Sequence, residues 1–280
     1  MIRYSPKIIL LLSFFVTGIV LSNASLDIAL HDRIKKDPDY IQKFWVGLMD
    51  GNGSIQVNHW RHKNLQYRLI IKLKYCSENL YMLNLIASHI GGNVKIVGSN
   101  KFIIWVVNNR NHIYKIIQIF IKYPPLTSRL RAQLAFMLTC FEQNNVEWYL
   151  KARDKKYLNI NVESIIIDIE REANNYFNEW LSGFIEAEGC FSIRGISNNH
   201  SFSIGQNDDK YILEKIKSHF DIRTKIRKIK NRFWSIEVYR KSTLIFIINH
   251  CIEYPLLGEK RISLMKFRDL FNKCLVVLPL

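Results

Sequence analysis

Apolar and polar positions along this chain follow two periodicities, and the order in which they alternate occurs twice. Phe44, Gly47, Leu48 and Gly51 fall at i, i+3, i+4 and i+7, a helical stripe, and Trp180, Gly183, Phe184 and Ala187 repeat it. Each stripe pairs bulky residues with small ones four apart, a spacing that lets two helix backbones approach closely. The expected helix interface is therefore Gly47 and Gly51 against Gly183 and Ala187. Asp37 followed by Pro38 predicts the start of the first helix, Asn174 or Asn175 caps the second, and Gly53 and Gly189 end them. Behind each helix the period changes to two. Ile55 and Val57 alternate with Ser54, Gln56 and Asn58, and Phe191 and Ile193 alternate with Cys190, Ser192 and Arg194.

Further strands are predicted at 67–74, 94–97 and 102–107, and in the second copy at 202–206, 224–229 and 233–239. Helices are predicted at 79–89, 113–121, 210–219 and 244–251. Two internal repeats support the division. Residues 44–53 return at a shift of 136 as residues 180–189. Lys101-Phe102 through Tyr123-Pro124 return at a shift of 131 as Arg232-Phe233 through Tyr254-Pro255. The fold class is α+β, with two pseudo-symmetric αββαββα subdomains, each a four-stranded antiparallel sheet backed by helices. The expected organisation is an N-terminal segment over residues 1–35, a first subdomain over 36–141, a polar linker over 142–173 and a second subdomain over 174–280.

Charge narrows the function. Lys and Arg number 40 against 24 Asp and Glu, a net +16, which calls for a polyanionic partner. An A+T-rich genome also inflates Lys, Asn and Ile, so charge alone does not decide the matter. At 48% apolar residues the chain is neither disordered nor fibrous. Cys76, Cys140, Cys190, Cys251 and Cys274 are odd in number and lack close pairs, which predicts reduced thiols and no zinc site. His59 and His62 have no third ligand near them in sequence and are read as surface or nucleic-acid-facing residues. Trp60 is expected to pack under the sheet edge, and Phe102, Trp105 and Phe233 to be core.

Ile8 to Leu21 is a largely apolar run behind Arg3 and Lys7, shorter than the roughly 20 residues of a membrane span. A secretory signal would fit that run. The stretch from Thr17 to Asp32 resembles part of cytochrome c oxidase subunit one, and that resemblance implies an exon-derived segment leading into an intron reading frame.

Trp45-Val46-Gly47-Leu48-Met49-Asp50-Gly51-Asn52-Gly53 and Leu181-Ser182-Gly183-Phe184-Ile185-Glu186-Ala187-Glu188-Gly189 resemble the paired motifs of the LAGLIDADG homing endonucleases in their single-chain form. The resemblance runs from about residue 38 to residue 275, and the repeat agrees with it. It implies paired helices ending over the minor groove of DNA between two sheets, and an acid before each final glycine that holds Mg²⁺, with Mn²⁺ able to stand in. The match assigns Glu188 and Asn52 to those positions, with the Ala187 and Gly51 backbones beside them. Asparagine lacks the charge, so the first half departs from the pattern, and cleavage of both strands is expected to be weak, reduced to a nick, or lost. Asp50 lies two residues away on the helix and points elsewhere. Gln206 and Lys241, with Arg110 as first-half counterpart of Lys241, resemble residues placed near the cleaved phosphates. Gln56, Asn58, Arg61, Arg68, Lys72 and Lys74 in the first half, and Ser192, Arg194, Lys225, Arg227 and Lys230 in the second, are the expected DNA-contacting set.

The partner implied is double-stranded DNA, bound by a monomer with no obligate protein partner, in the mitochondrial matrix. A rival reading on the same fold is an intron RNA-splicing maturase bound to its own intron RNA, which would not need the paired acids. A decayed reading frame fits poorly with an intact second motif. An integral membrane subunit is excluded, because no later apolar run approaches spanning length without charges.

Overall fold

The computed structural model describes residues 23–158, 160–194 and 199–276. In the first half, helix α1 (Asn23–Lys36) leads into α2 (Tyr40–Asn52), then β1 (Gly53–Trp60), β2 (Asn64–Lys74), α3 (Ser77–Ile90), β3 (Asn93–Val97), β4 (Phe102–Val107), α4 (Arg110–Lys122) and α5 (Ser128–Gln143). α6 (Val146–Ala152) and α7 (Val162–Glu172) join it to the second half. There α8 (Phe177–Glu188), β5 (Cys190–Arg194), β6 (Asn199–Asn207), α9 (Lys210–His219), β7 (Arg227–Lys228), β8 (Phe233–Val238), α10 (Lys241–Glu253) and α11 (Glu259–Val276) repeat the order. Each half holds a four-stranded antiparallel sheet, ordered β1-β2-β4-β3 and β5-β6-β8-β7.

Period-two alternation puts one face of each sheet on the core. Ile55, Tyr67, Leu69, Ile71, Ile103 and Trp105 are buried, while Asn58, Arg68, Lys72 and Lys74 are exposed on the other face. The β1–β2 hairpin turns through Arg61 and His62 at φ 46° and 55°, the left-handed region.

α2 and α8 form the seam between the halves, and their glycines are the reason. A Cβ on Gly47 would lie 1.9 Å from the Trp180 carbonyl oxygen, and one on Gly183 would lie 1.9 Å from that of Phe44. A Cβ on Gly51 would lie 2.2 Å from the Cβ of Ala187. Gly47, Gly51, Gly183 and Ala187 thus meet at one backbone-to-backbone contact. Phe44, Leu48, Trp180 and Phe184, on the same helix stripes, are all buried, and Trp45 packs on Trp105 and Phe120 of its own half.

Several expectations are corrected. The two pseudo-symmetric α+β subdomains with four-stranded antiparallel sheets are as expected, and each carries one further helix at its end. α5 and α11 follow the Tyr-Pro stops, and Thr127 caps α5 by accepting from the Leu130 N–H at 3.3 Å. The span 142–173 is largely helical, with Asn145 and Asn161 as caps for α6 and α7. Asp37 and Pro38 lie in the turn between α1 and α2, whose N-cap is Asp39, and α8 begins after Tyr176 and not at Asn174 or Asn175. The strand expected at 224–229 shrinks to β7, because the Thr224 hydroxyl donates to the Glu237 carbonyl oxygen at 2.8 Å before pairing begins.

Trp60 is 52% exposed, with the Arg61 guanidinium 4.9 Å from its ring centre, so it does not pack under the sheet. Phe102 is partly exposed beneath Lys72 and is not core. The N-terminal segment is not separate from the folded domain throughout. Within α1, Leu30 is buried and Ile34 packs on the core, while Arg33 pairs with Glu179 at 2.6 Å and covers the Tyr254 ring. Residues 17–22 of the oxidase-like stretch, like the apolar run before them, lie outside the described residues. No described helix is long and apolar enough to cross a membrane.

Candidate active site at the paired helix ends

α2 and α8 end side by side, so residues 50–53 and 186–189 converge at one place. Along each helix the acids take different directions. Asp50 turns inward and is 1% exposed. It accepts from the Leu126 N–H at 2.7 Å, the Thr127 N–H at 3.0 Å, the Thr127 hydroxyl, and Trp180 Nε1 of the other half at 2.7 Å. Glu186, its counterpart, accepts from the N–H groups of Leu257, Gly258 and Lys260 at 3.2, 3.0 and 2.9 Å. Burial raises both carboxyls, and these donors partly offset it. Asp50 therefore holds the start of α5 and does not substitute for a missing acid at residue 52. Asp50→Asn places an amide among four donors and is expected to lower stability by about 1–3 kcal/mol, read from a urea unfolding midpoint. An unchanged midpoint would mean that these hydrogen bonds are not made.

A second pair of caps crosses between halves. Asn79 accepts from the Glu259 N–H at 3.1 Å at the start of α11, and Asp209 accepts from the Ser128 N–H at 3.0 Å at the start of α5. These caps fix the first turn of each helix, and the next residue of each is basic: Arg129 on α5 and Lys260 on α11. They are the positively charged groups that bear on Glu188.

Glu188 sits at the end of α8. Its Oε1 would be 3.3 Å from a Cβ on Gly51, so the carboxylate reaches toward the partner helix. Burial raises its pKa, and the charges of Arg129 and Lys260 pull it back down. Asn52, at the matching end of α2, is exposed. Among the described residues no three or more His, Cys, Asp or Glu side chains gather into a metal-binding group. A cation here would draw on the Glu188 carboxylate, the Ala187 carbonyl oxygen, water and phosphate. All are oxygens, which suits Mg²⁺, an ion that keeps several waters.

The remaining candidates are distributed as follows. Gln206, on β6, is buried and hydrogen-bonds Asp209, behind the cap on α5. Lys241 and Arg110 begin α10 and α4 and are exposed; Arg110 donates to Asn144 Oδ1 and the Phe141 carbonyl oxygen, both at 3.3 Å. The charges acting on Glu188 come from Arg129 and Lys260 and not from Arg110 and Lys241. Arg129 and Lys260 were reachable from sequence, since the 131-residue repeat aligns them a few positions beyond Tyr123-Pro124 and Tyr254-Pro255.

On the open face of the first sheet, Gln56 pairs with Arg68 and Asn58 with Gln66 in register, and Lys72 and Lys74 continue the same face. Arg68 Nε donates to Asn108 Oδ1 at 3.0 Å, which helps orient its exposed guanidinium. Arg61 stands at the hairpin tip. On the second sheet Ser192, the register position of Arg194 and Arg227 share a face, while Lys225 and Lys230 are exposed on either side of β7.

The LAGLIDADG endonuclease family profile matches residues 45–140 and 181–271. A relative from Dictyostelium citrinum, "Probable intron-encoded endonuclease aI3", is 47% identical over 244 residues, spanning 86% of this chain and 99% of its own. A relative of the same description from Debaryomyces hansenii is 38% identical over 90% of this chain and 48% of its own length. The I-LtrWI LAGLIDADG homing endonuclease bound to target DNA superposes with a TM-score of 0.65 at 21% identity, covering 85% of this chain and 92% of that one, a likeness of fold. With both motif helices, both sheets and both repeats matched, this chain belongs to the LAGLIDADG endonuclease family.

Proposed function

We propose that this chain is an intron-encoded, site-specific homing endonuclease that hydrolyses phosphodiester bonds of an intronless allele, with one strand cut far faster than the other. The observation that carries the asymmetry is the helix seam: it presents one carboxylate, Glu188, where pseudo-symmetry would present two, and Asn52 stands at the other position. The exposed faces of the sheets, rich in Arg, Lys, Gln and Asn, bind the duplex. Arg and Gln meet base edges, and Lys meets phosphate. Arg129 and Lys260 both act electrostatically on Glu188, and so stand where they can neutralise charge at the phosphate. Mg²⁺, when bound, supplies polarisation of the phosphate and of water. Glu188 holds that ion and must be ionised to do so. The resemblance of residues 17–32 to a mitochondrial oxidase subunit supports a mitochondrial host gene and a matrix location.

The maturase reading uses none of the carboxylate geometry, and the Dictyostelium citrinum and Debaryomyces hansenii relatives are described as endonucleases. A supercoiled plasmid carrying the intronless oxidase-gene junction tests the proposal. With Mg²⁺ the native protein is expected to relax it by nicking and to leave an intron-containing plasmid intact; EDTA stops the reaction. Intact intronless plasmid, together with tight binding of the intron RNA, would replace the nuclease reading with the maturase one.

A further inference from the structure

The two ends of the helix seam differ by more than one side chain. At the first end, the Arg129 guanidinium lies against the last backbone carbonyls of α2. Nη1 donates to the Gly53 oxygen at 2.8 Å; Nη2 donates to the Asp50 oxygen at 2.7 Å and approaches those of Met49 at 3.3 Å and Gly51 at 3.5 Å. The carbonyl end of a helix carries partial negative charge and attracts a cation. The guanidinium is permanently charged and its planar fork matches several acceptors at once. At the second end Lys260 takes the equivalent place, and among the described residues its ammonium makes no such set of bonds to the end of α8.

A divalent ion at the first end would find a neutral amide at Asn52, and the fixed charge of Arg129 already 3.5 Å from the Gly51 carbonyl oxygen that would complete its shell. Repulsion between the two cations compounds the missing carboxylate. The residues present do not fit a metal ion there, whereas the second end supplies a carboxylate, Glu188, whose ionised form the charges of Arg129 and Lys260 favour.

We propose that Arg129 is a built-in cation that occupies the first-half metal position, so the chain binds one divalent ion, at Glu188, and not two. The loss of the acid at residue 52 and the arginine at 129 then act together, and restoring the acid alone does not restore the site. Asn52→Asp gives Arg129 a carboxylate partner and closes the position further, whereas Asn52→Asp with Arg129→Gln opens it. The proposal rests on the metal-dependent nuclease reading, which fails on a different result, the absence of nicking.

Crystals of the full chain soaked in Mn²⁺ test it without reference to activity, because anomalous scattering locates each ion. The native protein is expected to show one peak, within ligand distance of the Glu188 carboxylate. Asn52→Asp is expected to show the same single peak, and Asn52→Asp/Arg129→Gln a second one at the end of α2. A native peak on the Asn52 side-chain oxygen, no native peak on the Glu188 carboxylate, or a second peak in Asn52→Asp alone would overturn the proposal. Arg129→Gln removes bonds that cap α2, so the native and Asn52→Asp maps decide the question if the double variant does not fold.

Discussion

Gly47→Ala is expected to destabilise the protein by about 3 kcal/mol or more, a large part of the roughly 5–15 kcal/mol that holds a domain folded. The ordinary effect of this exchange in a helix is the opposite, a gain of about 1 kcal/mol, because alanine restricts the unfolded chain. Here the added carbon would lie 1.9 Å from the Trp180 carbonyl oxygen and 2.9 Å from the Phe184 nitrogen. Both are backbone atoms of α8 and cannot turn aside. The helices must separate, and with them the buried contacts of Phe44, Leu48, Trp180 and Phe184 on which both halves depend. Gly183→Ala is expected to behave alike, since its contact with Phe44 has the same distance. Urea unfolding gives the sign directly. A midpoint equal to or above that of the native protein would show that the helices do not pack backbone to backbone.

Glu188→Gln is expected to lower nicking by more than about 100-fold, because it removes the one carboxylate that can hold a divalent ion at the seam. The same substitution is expected to stabilise the metal-free protein at neutral pH. Burial holds this carboxyl above the ordinary glutamate range, so the folded chain retains the proton to higher pH than the unfolded chain. Where the folded state binds more protons, stability falls as pH rises, here from the ordinary carboxylate value through the folded one. Glutamine does not ionise and escapes that loss. Unfolding midpoints of the two proteins should converge at acidic pH and diverge toward neutrality with the variant above, while nicking by the native protein should fall on acidification as Glu188 takes up its proton. A variant that is less stable at neutral pH would show that Arg129 and Lys260 outweigh burial. Activity and stability pull in opposite directions at this residue, as they do at many strained sites.

The seam and the sheets were legible in the sequence because their signals are short-range. Phe44, Gly47, Leu48 and Gly51 mark a helix face within a few residues, and a repeat at 180–189 shows that the face has a partner. Alternation in β1, β2, β4, β6 and β8 likewise needs only neighbours. What escaped depends on contacts distant in sequence. Asp50 can be read only as pointing away from the motif position until Leu126 and Thr127, 76 and 77 residues away, are seen to donate to it. α5 and α11 begin so soon after Pro124 and Pro255 that the pattern predicts no helix beyond either proline, although both expected subdomains extend past them. The roles of Arg129 and Lys260 depended on placing those helices. Arg110 and Lys241 stand at equivalent positions in the repeat, but equivalence in sequence does not bring a charge to Glu188. Asp37 before Pro38 has the composition of a helix start, yet the Asp37 N–H still bonds the Arg33 carbonyl oxygen at 2.8 Å and so closes α1.

The asymmetry between Asn52 with Arg129 and Glu188 with Lys260 is the centre of this account, and strand-resolved cleavage tests it most directly. A duplex spanning the intronless junction, labelled at one 5′ end and then at the other, would be incubated with native protein and Mg²⁺ and run under denaturing conditions. The account predicts a discrete product from one labelled strand, little from the other, and none from either with Glu188→Gln. Equal rates on both strands, or cleavage that survives Glu188→Gln, would contradict it.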